Sequence, residues 1–143
     1  MITTLLADDH VVFRHGVRKL LEKAGFLVVA EASDGPEAVD LVKQLRPQVA
    51  ILDLGMPLLN GIDATHEIVK TTGGNTKVIL LTMYSESAYV MSAIAAGVNG
   101  YVLKSRAPAS LIEAIHEVHR GNTYLSPEIS RSGIETMKTD SAP

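Results

Sequence analysis

No cysteine occurs among the 143 residues, which excludes a disulfide framework, a thiolate nucleophile and a thiolate metal site and suits a reducing compartment. Nor is there an excess of positive charge. Against 16 Asp and Glu stand 13 Lys and Arg, a formal net charge of −3, so nucleic-acid contact by this segment itself is not expected. No apolar run approaches the roughly 18 residues of a membrane span. Asp8 and Asp9 interrupt the first apolar run before it reaches the core of a leader peptide. These absences describe a soluble, cytoplasmic chain with no membrane segment. What is present, 46% hydrophobic and 20% charged residues, suits one globular domain with a substantial core and little beyond it.

Five apolar runs of strand length follow one another, at residues 3–7 (TTLLA), 26–30 (FLVVA), 48–52 (QVAIL), 77–82 (KVILLT) and 99–103 (NGYVL). They are rich in Val, Leu and Ile and do not alternate with polar residues, the pattern of strands covered on both faces. Between and after them lie stripes at helical spacing: Val17, Leu20, Leu21 and Ala24; Ala38, Leu41, Val42 and Leu45; Ile62, Thr65, Ile68 and Val69; Ala88, Met91 and Ala95; Leu111, Ile115 and Val118. Gly25, Gly97 and Gly121 follow helical patterns where a positive φ would end them, and Pro47 stops another. Pro36 and Pro108 sit where a first helical turn begins. Strict β-α alternation with short connections predicts an α/β fold, a doubly wound five-stranded parallel sheet with helices on both faces. From about residue 122 the text becomes polar and Ser/Thr-rich and reads as a linker or tail over 122–143, leaving a domain of residues 1–121.

In an open parallel sheet, ligands bind beyond the carboxyl ends of the strands, where strand order reverses; in the flavodoxin-like order 2-1-3-4-5 that point lies between strands one and three. The expected strand ends carry Asp8 and Asp9, then Asp53, Thr82 and Lys104. Taken singly, each residue has an ordinary explanation as a helix cap, loop acceptor or solvated charge. Four strand ends agreeing point elsewhere. Two carboxylates about 4 Å apart repel by ~4 kcal/mol at an effective dielectric near 20. Without a cation, one would protonate or the cluster would splay, and an all-oxygen group suits Mg²⁺, which keeps waters and binds through one or two carboxylates beside phosphate oxygens. With Thr82 and Lys104 alongside, phosphoryl chemistry on one carboxylate is the economical reading.

"ADDH" after the first strand, "DLGMP" with Asn60-Gly61 beyond it, "LT" at Thr82 and "GYVLK" ending in Lys104 resemble the signature of response-regulator receiver domains of two-component signalling. "DDHVVFRHGVRKLLE", "EASDGPEAV" and "LIEAIHEVHRGNTYLSPEI" are similar to the NarL/FixJ branch, whose receivers usually precede a LuxR-type helix-turn-helix DNA-binding domain. The chain stops before such a domain, so 122–143 is expected either to lead to one or to be the short tail of a receiver. The resemblance implies the (βα)5 receiver fold in the order 2-1-3-4-5, with Asp53 as phosphoacceptor and Mg²⁺ placed by Asp8, Asp9, Asp53 and the Gly55 backbone carbonyl. It further implies that Lys104 pairs with phosphoryl oxygens, that Thr82 moves to bond them, and that Tyr101 swings inward as Thr82 vacates its path. The donor would be a phosphohistidine on a sensor histidine kinase. The output would be a changed surface on helix four, strand five and helix five, controlling DNA binding and transcription through the later domain, with homodimerisation through helices one and five or around helix four.

Three departures from the family pattern stand out. Ser105 follows Lys104 where many receivers have a cis-proline; a non-proline cis bond costs about 2.5 to 4 kcal/mol, so a trans bond is expected. Met83 replaces the usual small residue after the threonine, and Gly55 brings no side chain toward the phosphoryl group. Rival readings fare worse. A haloacid-dehalogenase-type phosphatase would need an acid two residues beyond the nucleophile, where Gly55 stands, so a turnover enzyme is not expected. A flavodoxin-like cofactor binder would not place Asp8 and Asp9 where an anion must sit. A phosphorylation-independent dimerisation or interaction module of the same fold is the remaining alternative. His10, His15, His66, His116 and His119 are scattered, and His116 and His119, at i, i+3, lack a third zinc ligand. "TTGGNTK" lacks the Walker spacing and reads as a helix-ending turn.

Overall fold

The computed structural model describes residues 1–107, 109–127 and 129. Pro108 and the tail beyond residue 129 lie outside the described residues. Strand β1 (Thr3–Ala7) is followed by α1 (Val11–Lys23), β2 (Leu27–Ala32), α2 (Gly35–Leu45), β3 (Val49–Asp53), α3 (Gly61–Thr72), β4 (Lys77–Thr82), α4 (Ser87–Ala96), β5 (Gly100–Leu103), a 3-10 turn (Lys104–Arg106), α5 (Ala109–His119) and β6 (Tyr124–Leu125). All pairings are parallel, and the sheet order is β2-β1-β3-β4-β5-β6. The doubly wound α/β reading holds, and the sheet gains a sixth strand. That strand is too short to carry a period-two pattern, which is why the text after residue 122 reads as tail. Tyr124 and Ser126 donate backbone hydrogen bonds to Asn99 and Tyr101, while the Ser126 hydroxyl oxygen accepts from the Leu103 N–H.

Alternate residues of each central strand enter opposite cores. Leu5, Ala7, Ala50, Leu52, Val78 and Leu80 join Ala38 and Val42 of α2, Ala64 and Ile68 of α3, and Val90 and Ala93 of α4. On the other face Leu6, Ile51, Ile79, Leu81 and Val102 meet Val17 and Leu21 of α1 and Leu111, Ala114, Ile115 and Val118 of α5. The α5 stripe is as expected. In α4 the buried face is Val90 and Ala93, whereas Ala88 and Ala95 of the expected stripe are exposed. The helix reads SAYVMSAIAA, almost wholly apolar or small, so hydropathy alone does not single out a face.

Local chemistry sets the connections on which the site depends. Asp34 caps α2, accepting from the Glu37 N–H, and Glu37 returns a carboxylate oxygen to the Ser33 N–H. Asn60 caps α3 by accepting from the Asp63 N–H. The next residue must be glycine, because a Cβ on Gly61 would lie 2.5 Å from the Asp53 carbonyl oxygen and 2.9 Å from Leu54 Cα. The start of α3 is thus pressed against the backbone that presents Asp53. Among the described residues, no helix is long and apolar enough to cross a membrane.

Candidate functional site

Strand order alone brings the expected residues together. β1 and β3 are neighbours, with β4 and β5 beyond β3, so Asp8, Asp53, Thr82 and Lys104 emerge along one edge of the sheet. Lys104 Nζ lies 2.9 Å from Asp8 Oδ2 and 3.3 Å from Asp53 Oδ1, and 4.6 Å above the Phe13 ring. Asp8 and Asp53 are buried, while Asp9 is exposed at the rim. Neither acid of the pair caps α1. Its N-cap is His10, whose N–H donates to Asp8 Oδ1 at 2.8 Å and whose Nδ1 lies 3.1 Å from the same oxygen. Asp8 Oδ2 is buried without a hydrogen bond, despite its closeness to the Lys104 ammonium.

The charge balance is incomplete. Burial raises the Asp53 carboxyl above the usual range, the neighbouring Asp8 charge raises it further, and Lys104 only partly opposes them. One ammonium does not compensate three carboxylates. One donor atom each from Asp8, Asp9, His10 and Asp53 fall within 4.8 Å of one another. Asp8 Oδ2, which makes no hydrogen bond and shares its one ammonium with Asp53, and an oxygen-rich set fit a hard divalent cation. Beside them is a cavity of about 130 Å³ lined by His10, Asp53, Gly55, Met83, Tyr84 and Lys104. That puts Gly55 at the opening, where it adds backbone and no side chain.

Thr82 and Tyr101 sit next to this cavity in a connected arrangement. Thr82 is buried, and its Oγ1 accepts from the Tyr84 N–H at 3.1 Å. Tyr101 is fully buried, and its hydroxyl donates to the Tyr84 carbonyl at 2.6 Å. Burial raises the Tyr101 phenol well above its ordinary pKa, so it acts as a neutral donor. The inward position expected as the end of a swing is already occupied here. The reason is local: the loop after β4 turns the Tyr84 carbonyl toward the ring, giving the hydroxyl a partner inside the fold.

Two contributors escape sequence reasoning. Arg14, on the buried side of α1, donates from Nη1 to the carbonyls of Asp8 at 2.7 Å and Ala32 at 3.3 Å and to Ser33 Oγ at 3.1 Å, and from Nε to Glu31 at 2.7 Å. It fixes the backbone that aims Asp8. Its helical position gave the only signal, since i+3 from Arg14 is Val17, a core residue. His10 is the other, drawn to the acids by its place at the start of α1. The remaining histidines stay outside: His116 packs on Phe26 at 5.2 Å between ring centres, and His119 Nε2 lies 3.3 Å from Gln48.

Comparison with known proteins places the chain as a whole. The family model of the response regulator receiver domain matches residues 4–116. Curated relatives include the response regulator UvrY of Escherichia coli strain K12, 37% identical over 99% of this chain and 66% of its own length. Another is the transcriptional regulatory protein DegU of Brevibacillus brevis, 35% identical over 96% of this chain and 58% of its own length. The chain thus spans less than two thirds of either relative. A solved LuxR-family two-component response regulator from Aurantimonas sp. SI85-9A1 superposes with a TM-score of 0.89 at 37% identity, covering 95% of this chain and 97% of that one.

Proposed function

The chain belongs to the response regulator receiver domain family, with relatives of the NarL/FixJ type, and from that membership we propose that Asp53 accepts a phosphoryl group from a phosphohistidine of a sensor histidine kinase. An Asp53 carboxylate oxygen bonds to phosphorus as the donor's P–N bond breaks, and the imidazole leaves with the electron pair. Asp8, Asp9, Asp53 and the Gly55 carbonyl would hold Mg²⁺, which supplies charge neutralisation at the phosphoryl oxygens. Lys104 pairs with those oxygens, and Thr82 donates its hydroxyl to one of them. The site has no nucleophile beyond the acceptor carboxylate, so the chemistry is positioning and electrostatics and the chain is an acceptor without turnover.

One observation carries this reading: Lys104 Nζ lies within 3.3 Å of both Asp53 and Asp8 at the switch point, in a cluster still short of positive charge. Recruitment of Thr82 to the phosphoryl group breaks its bond with the Tyr84 N–H and loosens the loop that holds Tyr101. The change reaches the α4-β5-α5 surface as a shift between two arrangements of that loop. In the whole protein the surface would govern homodimerisation and, through a LuxR-type domain beyond residue 143, DNA binding and transcription in the cytoplasm.

Intact mass after incubation with Mg²⁺ and a small acyl-phosphate donor tests the acceptor. The expected result is one phosphoryl adduct, missing in Asp53→Asn. A folded wild-type protein that takes no adduct across donors and metal concentrations would instead favour the phosphorylation-independent interaction module.

A further inference from the structure

His10 is the one histidine that the fold turns into the acidic cluster. Its side chain is 67% exposed, yet Nδ1 faces inward, 3.1 Å from Asp8 Oδ1 and 3.4 Å from Asp9 Oδ1. The ring is not used to cap α1, and the backbone N–H is tied to Asp8 Oδ1, so the imidazole is held beside that carboxylate from two sides. Neighbouring ligands on an octahedral ion with bonds of about 2.1 Å are separated by about 3 Å. The edges from His10 Nδ1 to the two carboxylates come near that length before any ion binds. A separate sign that a ligand belongs here is Asp8, whose side chain is 3% exposed and whose Oδ2 makes no hydrogen bond and has only the Lys104 ammonium, shared with Asp53, beside it at 2.9 Å.

Resting on the acceptor-site reading above, we propose that His10 is a further metal ligand, making this a mixed nitrogen and oxygen site that prefers first-row transition ions such as Ni²⁺ and Co²⁺ to Mg²⁺. The selectivity follows from ligand chemistry. Mg²⁺ takes oxygen ligands and keeps its waters, so it binds through the carboxylates and leaves the imidazole aside. Ni²⁺ and Co²⁺ gain from a neutral imidazole nitrogen in place of a water. His10 therefore contributes to affinity for one class of ion and not for the other.

Calorimetric titration of the chain at one fixed pH, with Mg²⁺ alone and with Ni²⁺ alone, separates the two classes. In His10→Gln the Ni²⁺ dissociation constant is expected to weaken tenfold or more, while that for Mg²⁺ changes less than about twofold. The visible absorption of bound Co²⁺ should change in the same variant, reporting loss of a nitrogen ligand. His116→Gln, on the far helix α5, should leave both readouts as in the wild type. Unchanged Ni²⁺ affinity in His10→Gln overturns the proposal, and so does a parallel loss for both ions, which would mark a structural role. If the Mg²⁺-dependent phosphoryl adduct still forms while Ni²⁺ affinity ignores His10, only this inference fails. If neither ion binds the wild type, the acceptor-site reading fails with it.

Discussion

Glu31 near the end of β2 and Asp53 at the end of β3 flank β1 on its two sides. Glu31 receives two arginines: Arg14 Nε at 2.7 Å on one oxygen and Arg18 Nη1 at 2.7 Å on the other. Burial alone would raise its carboxyl, but the hydrogen bonds from Arg18 and Arg14 outweigh it and hold the group below the usual carboxylate range. Asp53 meets the opposite balance. Burial and Asp8 raise it, and the one lysine within reach is shared with Asp8. A carboxylate supplied with cations of its own is already compensated; a cluster left short of positive charge has room for a cation. Arg14 joins the two, since the guanidinium that neutralises Glu31 also holds the Asp8 carbonyl.

Removing that joint should have the largest effect. Arg14→Met leaves the Asp8 and Ala32 carbonyls without this buried donor and is expected to cost about 3 kcal/mol in urea unfolding. A loss below about 1 kcal/mol would mean that the network behaves like a surface one. Gly61→Ala, which sets a Cβ against the Asp53 carbonyl, should cost about 1 to 3 kcal/mol and also weaken Mg²⁺ binding by displacing Asp53. Destabilisation with unchanged Mg²⁺ affinity would show that α3 does not position Asp53.

A smaller effect, opposite in sign, should follow from relieving the unbalanced cluster. In the presence of chelator at neutral pH, Asp53→Asn is expected to gain about 1 kcal/mol, since a buried carboxylate held at a cost beside Asp8 is removed. Because the folded-state pKa of Asp53 is raised, the folded protein binds its proton more tightly than the unfolded chain. Stability from this group is therefore lost as pH rises through the folded value. Glu31 runs the other way: its contribution is present above the unfolded carboxylate pKa and lost as pH falls through the lowered folded value. Urea midpoints measured from about pH 4 to 8 should show the falling limb in wild type and not in Asp53→Asn. Persistence of that limb in the variant would assign it to another group. Least of all, Arg18→Met removes a partly exposed pair and should cost about 0.5 kcal/mol, a change that added salt reduces further.

The strand ends were legible because each run of Val, Leu and Ile stops abruptly at a charged or hydroxyl residue, as at Ile51-Leu52-Asp53 and Val102-Leu103-Lys104. The positive φ at Gly25, Gly97 and Gly121 was legible for a similar local reason, as was the turn at Gly73 that ends α3. The pairing of β6 with β5 was not, since two residues carry no period and Ser126 needs the Leu103 N–H to explain its burial. Arg14 was hidden too. A charge on the core side of a helix looks like an exception to the stripe until the carbonyls and carboxylate that receive it are in place. The same holds for α4, where a nearly uniform apolar sequence left the choice of face to the packing of Val90 and Ala93.

By itself the sequence determined which residue types end the strands and where helices begin and stop, because burial imposes a period on neighbouring residues and caps act within a few residues of themselves. Tertiary structure alone decided who compensates whom: two arginines for Glu31, one shared lysine for Asp8 and Asp53, an inward Tyr101 held by the Tyr84 carbonyl, and a His10 ring turned toward the acids. Electrostatic and hydrogen-bonding partners are chosen by distance in space. That distance is set by strand order and register, which no local pattern in the chain encodes.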